Sequence, residues 1–236
     1  MVGRATALLA LLLALALYYG ASSELPELEF WTEIAFVSAI VVPAVFGLVL
    51  IGLPLRLDSY LGAGAVSLAV ATAVLTLAGL DVAANFTKFA TVVALGWWAV
   101  RVFEHAWWVA LVAVIIVPVD VLSVLFGPTR VIIEDLDPQV FNYGSITFPV
   151  PGFSVGETGL QLGLPDVLFF ALFLGACAQF ALRIHLTWLL MAFSFGGTIA
   201  LAILIDRDGF AALPLLSAAF LLANADLIVR RLLRER

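Results

Sequence analysis

The chain has 236 residues, of which 64% are hydrophobic and only 12% are charged, and its mean hydropathy is +1.17. A soluble domain of this length cannot bury so much apolar surface, so the composition predicts a membrane protein. The formal net charge is −6, and no basic patch precedes the C-terminal tail, which argues against nucleic-acid binding. Cys177 is the single cysteine, so neither an intrachain disulfide nor a cysteine metal cluster is expected.

Eight apolar segments, each of roughly 20 residues, follow one another along the chain. We expect an all-α fold, a polytopic bundle of about eight transmembrane helices, because the short alternating strands of an outer-membrane barrel are absent. The predicted spans cover residues 5–20, 34–53, 60–80, 86–103, 106–127, 160–180, 184–205 and 210–229. They divide the chain into an N-terminal helical part (1–127), an extramembrane loop (128–159) and a C-terminal helical part (160–236).

Arginine positions predict the orientation, because cytoplasmic loops retain basic residues. With eight spans and the N-terminus inside, the C-terminal tail that ends at Arg236 is cytoplasmic and the acidic loop 128–159 lies outside. The excess of arginine over lysine and the isoelectric point of about 4.8 point to the cell membrane of a prokaryote. Residues 4–23 also fit a cleavable signal peptide, whose removal would leave seven spans in the same orientation.

Two aspartates, Asp120 and Asp166, lie inside predicted spans. A carboxylate within the bilayer costs a few kcal/mol, so an intramembrane ionisable pair indicates a functional site. Asp120 is about 10 Å from the outer end of its span and Asp166 about 9 Å from the same face, at 1.5 Å per helical residue. Pro165 favours the first turn of a helix, which predicts that residues 160–164 are extended and that Asp166 lies deeper. The pair is typical of an aspartyl protease.

Three motifs carry a resemblance to a known family. The stretch from Val119-Asp120 to Gly127-Pro128 resembles the first catalytic helix of presenilins and signal peptide peptidases, and Gly163-Leu164-Pro165-Asp166 resembles their Gly-x-Gly-Asp motif. Ala211 to Leu215 resembles the Pro-Ala-Leu-Pro stretch at the start of their final helix. The likeness covers residues 118 to about 220 and fits a prokaryotic, archaeal-type member of this family of intramembrane aspartyl proteases.

The resemblance implies a presenilin-like fold, in which Asp120 and Asp166 are the catalytic pair. Gly163, Leu164 and Pro165 would support the second aspartate, and the final-helix residues Ala212, Leu213 and Pro214 would pack beside the pair. Substrates would be transmembrane peptides or proteins such as remnant signal peptides, within the lipid bilayer. The reaction would use a water molecule and the two carboxyl groups, with no metal or cofactor. The sequence gives no indication of the oligomeric state.

A transmembrane substrate has to be unwound before cleavage, because its peptide bonds are hydrogen-bonded within a helix. Two segments are candidates for an edge strand that pairs with the extended substrate. One is the β-branched run that contains Ile132 and Ile133, and the other is the stretch 159–164 before Asp166. Deletion of residues 131–133 is expected to abolish cleavage if the first candidate is correct.

Two other functions are compatible with the sequence. A small transporter could use Asp120 and Asp166 to relay protons or bind a cation. The chain could instead be a catalytically inactive homologue, because Val119, Pro165 and Ala211 depart from the family motifs. Such a homologue would only bind membrane helices. Zinc and serine proteases are excluded because the His-Glu-x-x-His and Gly-x-Ser-x-Gly motifs are absent. Asp226 precedes Arg230 by four positions and is expected to form an ion pair with it.

Overall fold

The computed structural model describes residues 2–126, 144–153, 160–205 and 211–234, and these residues are almost entirely helical. The all-α prediction is therefore confirmed, with the addition of one small sheet. The helices are α1 (Val2–Ala21), α2 (Phe30–Phe36), α3 (Val42–Gly52), α4 (Leu61–Leu77), α5 (Asp81–Val100), α6 (Ala106–Phe126), α7 (Leu164–Gln179), α8 (Ile184–Ile205) and α9 (Leu213–Arg234). A π-helical turn (Val37–Val41) joins α2 to α3 without a break in the helix.

Among the described residues, five helical stretches are long and apolar enough to cross a membrane, which marks the chain as a membrane protein. They are Gly3–Glu24, Phe30–Leu57, Ala106–Ser123, Ile184–Leu201 and Leu213–Leu233. The predicted count of eight is not confirmed. Helices α4 and α7 are apolar but have only 17 and 16 residues. At 1.5 Å per residue they extend about 25 Å, which is less than the roughly 30 Å of a bilayer core.

Helix α7 lies at the centre of the molecule. Nine of its residues are buried, and its Phe170 ring packs against Phe46 of α3 and Phe195 of α8, with centroid distances of 4.1 and 5.8 Å. On another side, Phe173 stacks on Phe220 of α9 at 4.7 Å. Such contacts bury large apolar rings on several faces of α7. The part of α7 from Val167 to Cys177 is therefore enclosed by its neighbours.

Helix α5 approaches α7 closely because glycine lies at their contact. A Cβ atom on Gly96 would be 2.6 Å from the Leu168 carbonyl oxygen and 2.9 Å from the Ala171 Cβ. No side chain fits at those distances, so the two backbones touch. This contact fixes the first half of the chain against the helix that carries Asp166.

A two-stranded antiparallel sheet precedes α7. Strand β1 (Ser145–Phe148) pairs with β2 (Leu160–Gly163), with Ser145 opposite Gly163 and Phe148 opposite Leu160. The prediction that the chain is extended before Pro165 is confirmed for residues 160–163. This strand also explains the shortness of α7, since the predicted span 160–180 loses its first residues to the sheet. Strand β1 comes from the predicted loop, and all four of its residues are buried.

Candidate active site

Asp120 lies in the second half of α6 and contacts the start of α9. Its Oδ2 atom accepts a hydrogen bond of 3.2 Å from the Leu213 backbone N–H. Pro118, two residues earlier, is inside the helix and has no N–H to donate to the preceding turn. The series of backbone hydrogen bonds in α6 is thus interrupted within one turn of Asp120, where the helix is easily bent.

The final-helix motif supplies this contact for a simple physical reason. The first helical N–H groups have no partner within their own helix. The Ala212 carbonyl accepts the first intrahelical bond, from Leu216, and Pro214 has no N–H. Ala212 has no side-chain oxygen to cap the helix, so Asp120 takes that role from α6. Ala212 and Leu213 are buried and Pro214 is half-buried, which places the predicted motif beside Asp120.

Asp166 occupies the third position of α7 and accepts a hydrogen bond from the backbone N–H of Gly163, the N-cap residue. An acidic side chain at this position that reaches back to the N-cap N–H forms one half of a capping box. Pro165 is in the first turn of the helix, where a backbone N–H would have no partner within the helix. Proline at position 165 is therefore compatible with the start of this helix.

Gly163 is in close contact with the Asp166 carboxylate. A Cβ atom at this position would lie 3.1 Å from Asp166 Oδ2 and 3.5 Å from Pro165 Cδ. The backbone angles of Gly163, φ −60° and ψ 142°, are open to any residue. Glycine is therefore favoured at position 163 because a side chain has little room there, and not because of its backbone angles. Leu164 extends the sheet, since its N–H donates to the Gly144 carbonyl at 3.1 Å.

The fold brings Asp120 and Asp166 close enough for their charges to repel each other. Each carboxyl group is also at the N-terminus of a helix, Asp166 at α7 and Asp120 at α9. The positive ends of two helix dipoles stabilise negative charge at this point, whereas the mutual repulsion disfavours two full charges. The two carboxyl groups therefore influence each other's ionisation.

Helix α6 packs mainly against α9 and only slightly against α7. The two aspartates are thus connected through α9, which contacts Asp120 at its start and α7 through the Phe173–Phe220 stack. Val119, beside Asp120, is exposed on the surface of the bundle. The direct contact between the two helices that carry the aspartates is therefore small.

The sequence predictions missed the residues that hold the sheet. Asn85 and Lys88 of α5 bond to the backbone of β1, at Thr147 and Ser145 respectively. The signal was present, because both residues are polar and lie three positions apart, on one face of a mostly apolar helix. Tyr18 of α1 also contacts this segment, with its hydroxyl donating to the Pro149 carbonyl at 2.7 Å.

Other predicted residues have different outcomes. Ile132 and Ile133 lie outside the described residues. Asp226 forms its ion pair with Arg183, which donates two hydrogen bonds of 2.8 Å to the carboxylate. The prediction of Arg230 as the partner is therefore wrong. Arg183 lies in the turn between α7 and α8, where its two terminal nitrogens each donate to one oxygen of the Asp226 carboxylate.

No known protein family, curated protein or solved structure matches the chain.

Proposed function

We propose that the chain is an intramembrane aspartyl protease of the presenilin and signal peptide peptidase type, with Asp120 and Asp166 as its catalytic pair. The observation that supports this most directly is the pairing of two aspartates at two helix N-termini within an apolar bundle. Each carboxyl group is oriented by one backbone N–H and retains a second oxygen for chemistry. The order of the three motifs along the chain agrees with that family.

The proposed reaction is hydrolysis of a peptide bond. The ionised carboxylate removes a proton from a water molecule, and the water oxygen attacks the scissile carbonyl carbon. The protonated carboxyl group donates its proton to the carbonyl oxygen. Breakage of the C–N bond then releases an amine, which takes up a proton from the pair, while one hydroxyl of the tetrahedral diol returns its proton to the pair and leaves a carboxylic acid. Each cycle consumes one water molecule and needs no metal or cofactor.

The proposed substrates are transmembrane peptides or proteins that are locally extended before cleavage. Strand β2 runs directly to Asp166, and β1 covers one of its edges. An extended substrate added along the other edge would lie beside the carboxylate, held by backbone hydrogen bonds. The weak contact between α6 and α7 offers a side on which a substrate helix could approach from the bilayer.

The proposed topology has eight crossings, with both termini in the cytoplasm of a prokaryotic cell. It rests on the distribution of arginines, for which Arg56, Arg101 and Arg183 are assigned to the same side as the C-terminal tail. In this orientation a substrate enters with its N-terminus inside, as remnant signal peptides do. A C-terminal reporter that is active only outside the cell would reverse the orientation.

The test is cleavage of a model transmembrane peptide by the purified protein in lipid, comparing the wild type with Asp120→Asn and Asp166→Asn. Asparagine retains an oxygen that accepts the bonds from Leu213 and Gly163, so both variants are expected to fold. Removal of either carboxyl group is expected to lower the cleavage rate by at least about 10³-fold. Asp226→Asn is the matched control, because this aspartate also lies in a long apolar helix but pairs with Arg183.

The outcomes separate the candidate functions. Cleavage that is lost in both variants and retained in the control would support the protease. Wild-type protein that cleaves none of several peptides would refute it. Proton or cation flux into vesicles that depends on the same two aspartates would then assign the chain as a transporter, and the lack of both activities would assign it as a helix-binding scaffold.

A further inference from the structure

The edge of β1 that faces away from β2 is covered by side chains instead of by another strand. The Thr147 N–H donates to Asn85 Oδ1 at 3.0 Å, and Asn85 Nδ2 donates to the Thr147 carbonyl at 3.0 Å. One carboxamide thus makes the two hydrogen bonds that a residue of a neighbouring strand would make. Its orientation is unambiguous, because the backbone of Thr147 offers one donor and one acceptor.

Two more side chains reach the same edge. The Tyr19 hydroxyl donates to the Thr147 carbonyl at 3.0 Å, and Lys88 Nζ donates to the Ser145 carbonyl at 2.9 Å. Asn85 is 6% exposed and Tyr19 is 3% exposed, so their polar atoms are removed from solvent. Buried polar groups on apolar helices are costly unless they are bonded. Their positions on α1 and α5 are therefore explained by the strand that they hold.

The anchored strand is directly connected to the second aspartate. Thr147 is opposite Gln161, and Ser145 is opposite Gly163, whose N–H bonds to the Asp166 carboxylate. We propose that Asn85 is a positioning residue for the reaction: it fixes β1 as a rigid template, through which β2 and Gly163 hold the Asp166 carboxylate in its reactive orientation. This inference rests on the proposed function.

The experiment compares two variants with a matched control. Asn85→Leu removes both bonds to Thr147, whereas Tyr19→Phe removes one bond to the same carbonyl and preserves the packing of the ring. Asn224→Leu is the control, because Asn224 is also buried and bonds to Thr187 at 2.7 Å and to the Phe220 carbonyl at 3.0 Å, away from the sheet. Each full-length variant is reconstituted in lipid.

Two quantities are measured for each protein: amide hydrogen exchange over residues 145–148 and 160–163, and kcat and KM for the model transmembrane peptide. For Asn85→Leu we expect exchange in the two strands to rise by about tenfold, because two buried hydrogen bonds are lost from the local opening equilibrium. We expect kcat to fall by about tenfold or more, with a smaller change in KM, because the carboxylate is less well oriented. Tyr19→Phe should change strand exchange and kcat in the same directions but by less. Asn224→Leu should change neither strand exchange nor kcat.

Each contrary result has a defined meaning. Unchanged strand exchange in Asn85→Leu would overturn the anchoring, whether or not the protein is a protease. Faster exchange with unchanged kcat would overturn the positioning role. An equal loss of kcat in Asn224→Leu would reduce the effect to general destabilisation and would also overturn the role. Absence of cleavage by the wild type would instead refute the proposed function, and the exchange data alone would then test the anchor.

Discussion

Substitution of Gly163 by alanine is a sharp test of the geometry at Asp166, because it adds a single methyl group next to the carboxylate. That Cβ would lie 3.1 Å from Asp166 Oδ2, a distance that requires the neighbour to move by a few tenths of an ångström. The backbone of Gly163 accepts alanine without strain. Alanine is a poorer N-cap than glycine by less than about 1 kcal/mol, so the fold should survive.

The expected effect on activity is larger than the effect on stability. A misplacement of 1 Å at a reacting group can lower a rate by about a hundredfold, so a displacement of a few tenths of an ångström predicts a loss of about three- to tenfold in kcat. The assay measures cleavage of the model transmembrane peptide together with thermal unfolding in the same lipid. Gly197→Ala is the matched control, since a Cβ at that helical position would have no atom within 4 Å apart from the adjacent residues and backbone of its own helix.

Two results would refute this reasoning. If Gly163→Ala cleaves at the wild-type rate, the position of the Asp166 carboxylate does not limit the reaction. If its activity falls only in proportion to the fraction of protein that is unfolded, the methyl group acts on stability and not on the site.

Two further predictions concern packing and protonation. Gly96→Ala is expected to lower the free energy of unfolding by about 1–3 kcal/mol, because its Cβ would be 2.6 Å from the Leu168 carbonyl oxygen. The measurement is a chemical denaturation curve. A curve that matches the wild type would contradict the close contact of α5 with α7. If the proposed mechanism is correct, the cleavage rate shows a bell-shaped dependence on pH, because that mechanism needs one ionised and one protonated carboxyl group. A rate that does not change between about pH 4 and pH 9 would argue against a shared proton.

Part of the site could be predicted from local sequence. Asp120 and Asp166 are identifiable because ionisable groups are rare in apolar segments. The extended segment before α7 follows from Pro165, which belongs in a first helical turn and therefore marks where the helix begins. The predominance of helices in the fold follows from hydropathy. These features depend on composition and on neighbours within a few residues.

Hydropathy did not determine the lengths of the helices or their partners. The apolar stretch 160–180 contains a strand and a 16-residue helix, because an apolar strand and a buried helix have similar hydropathy. Likewise, the helical spacing of Asp226 and Arg230 predicted an ion pair, whereas the tertiary fold presents Arg183 with a better geometry. An opposite charge that is near in the sequence is only one of several ion-pair partners that the fold can bring to a carboxylate.

The sequence alone determined that this chain is apolar and helical and that two carboxyl groups, those of Asp120 and Asp166, lie within its apolar segments. Tertiary structure decided which partners hold the first carboxyl group and the strand before the second, since Leu213 is 93 positions from Asp120 and Asn85 is 62 positions from Thr147. The physical reason is that a polar backbone group in an apolar interior has to find a partner, and the partner is whichever group the packing of helices brings within about 3 Å. Local periodicity sets which face of a helix is polar, but only the packed bundle sets what that face meets.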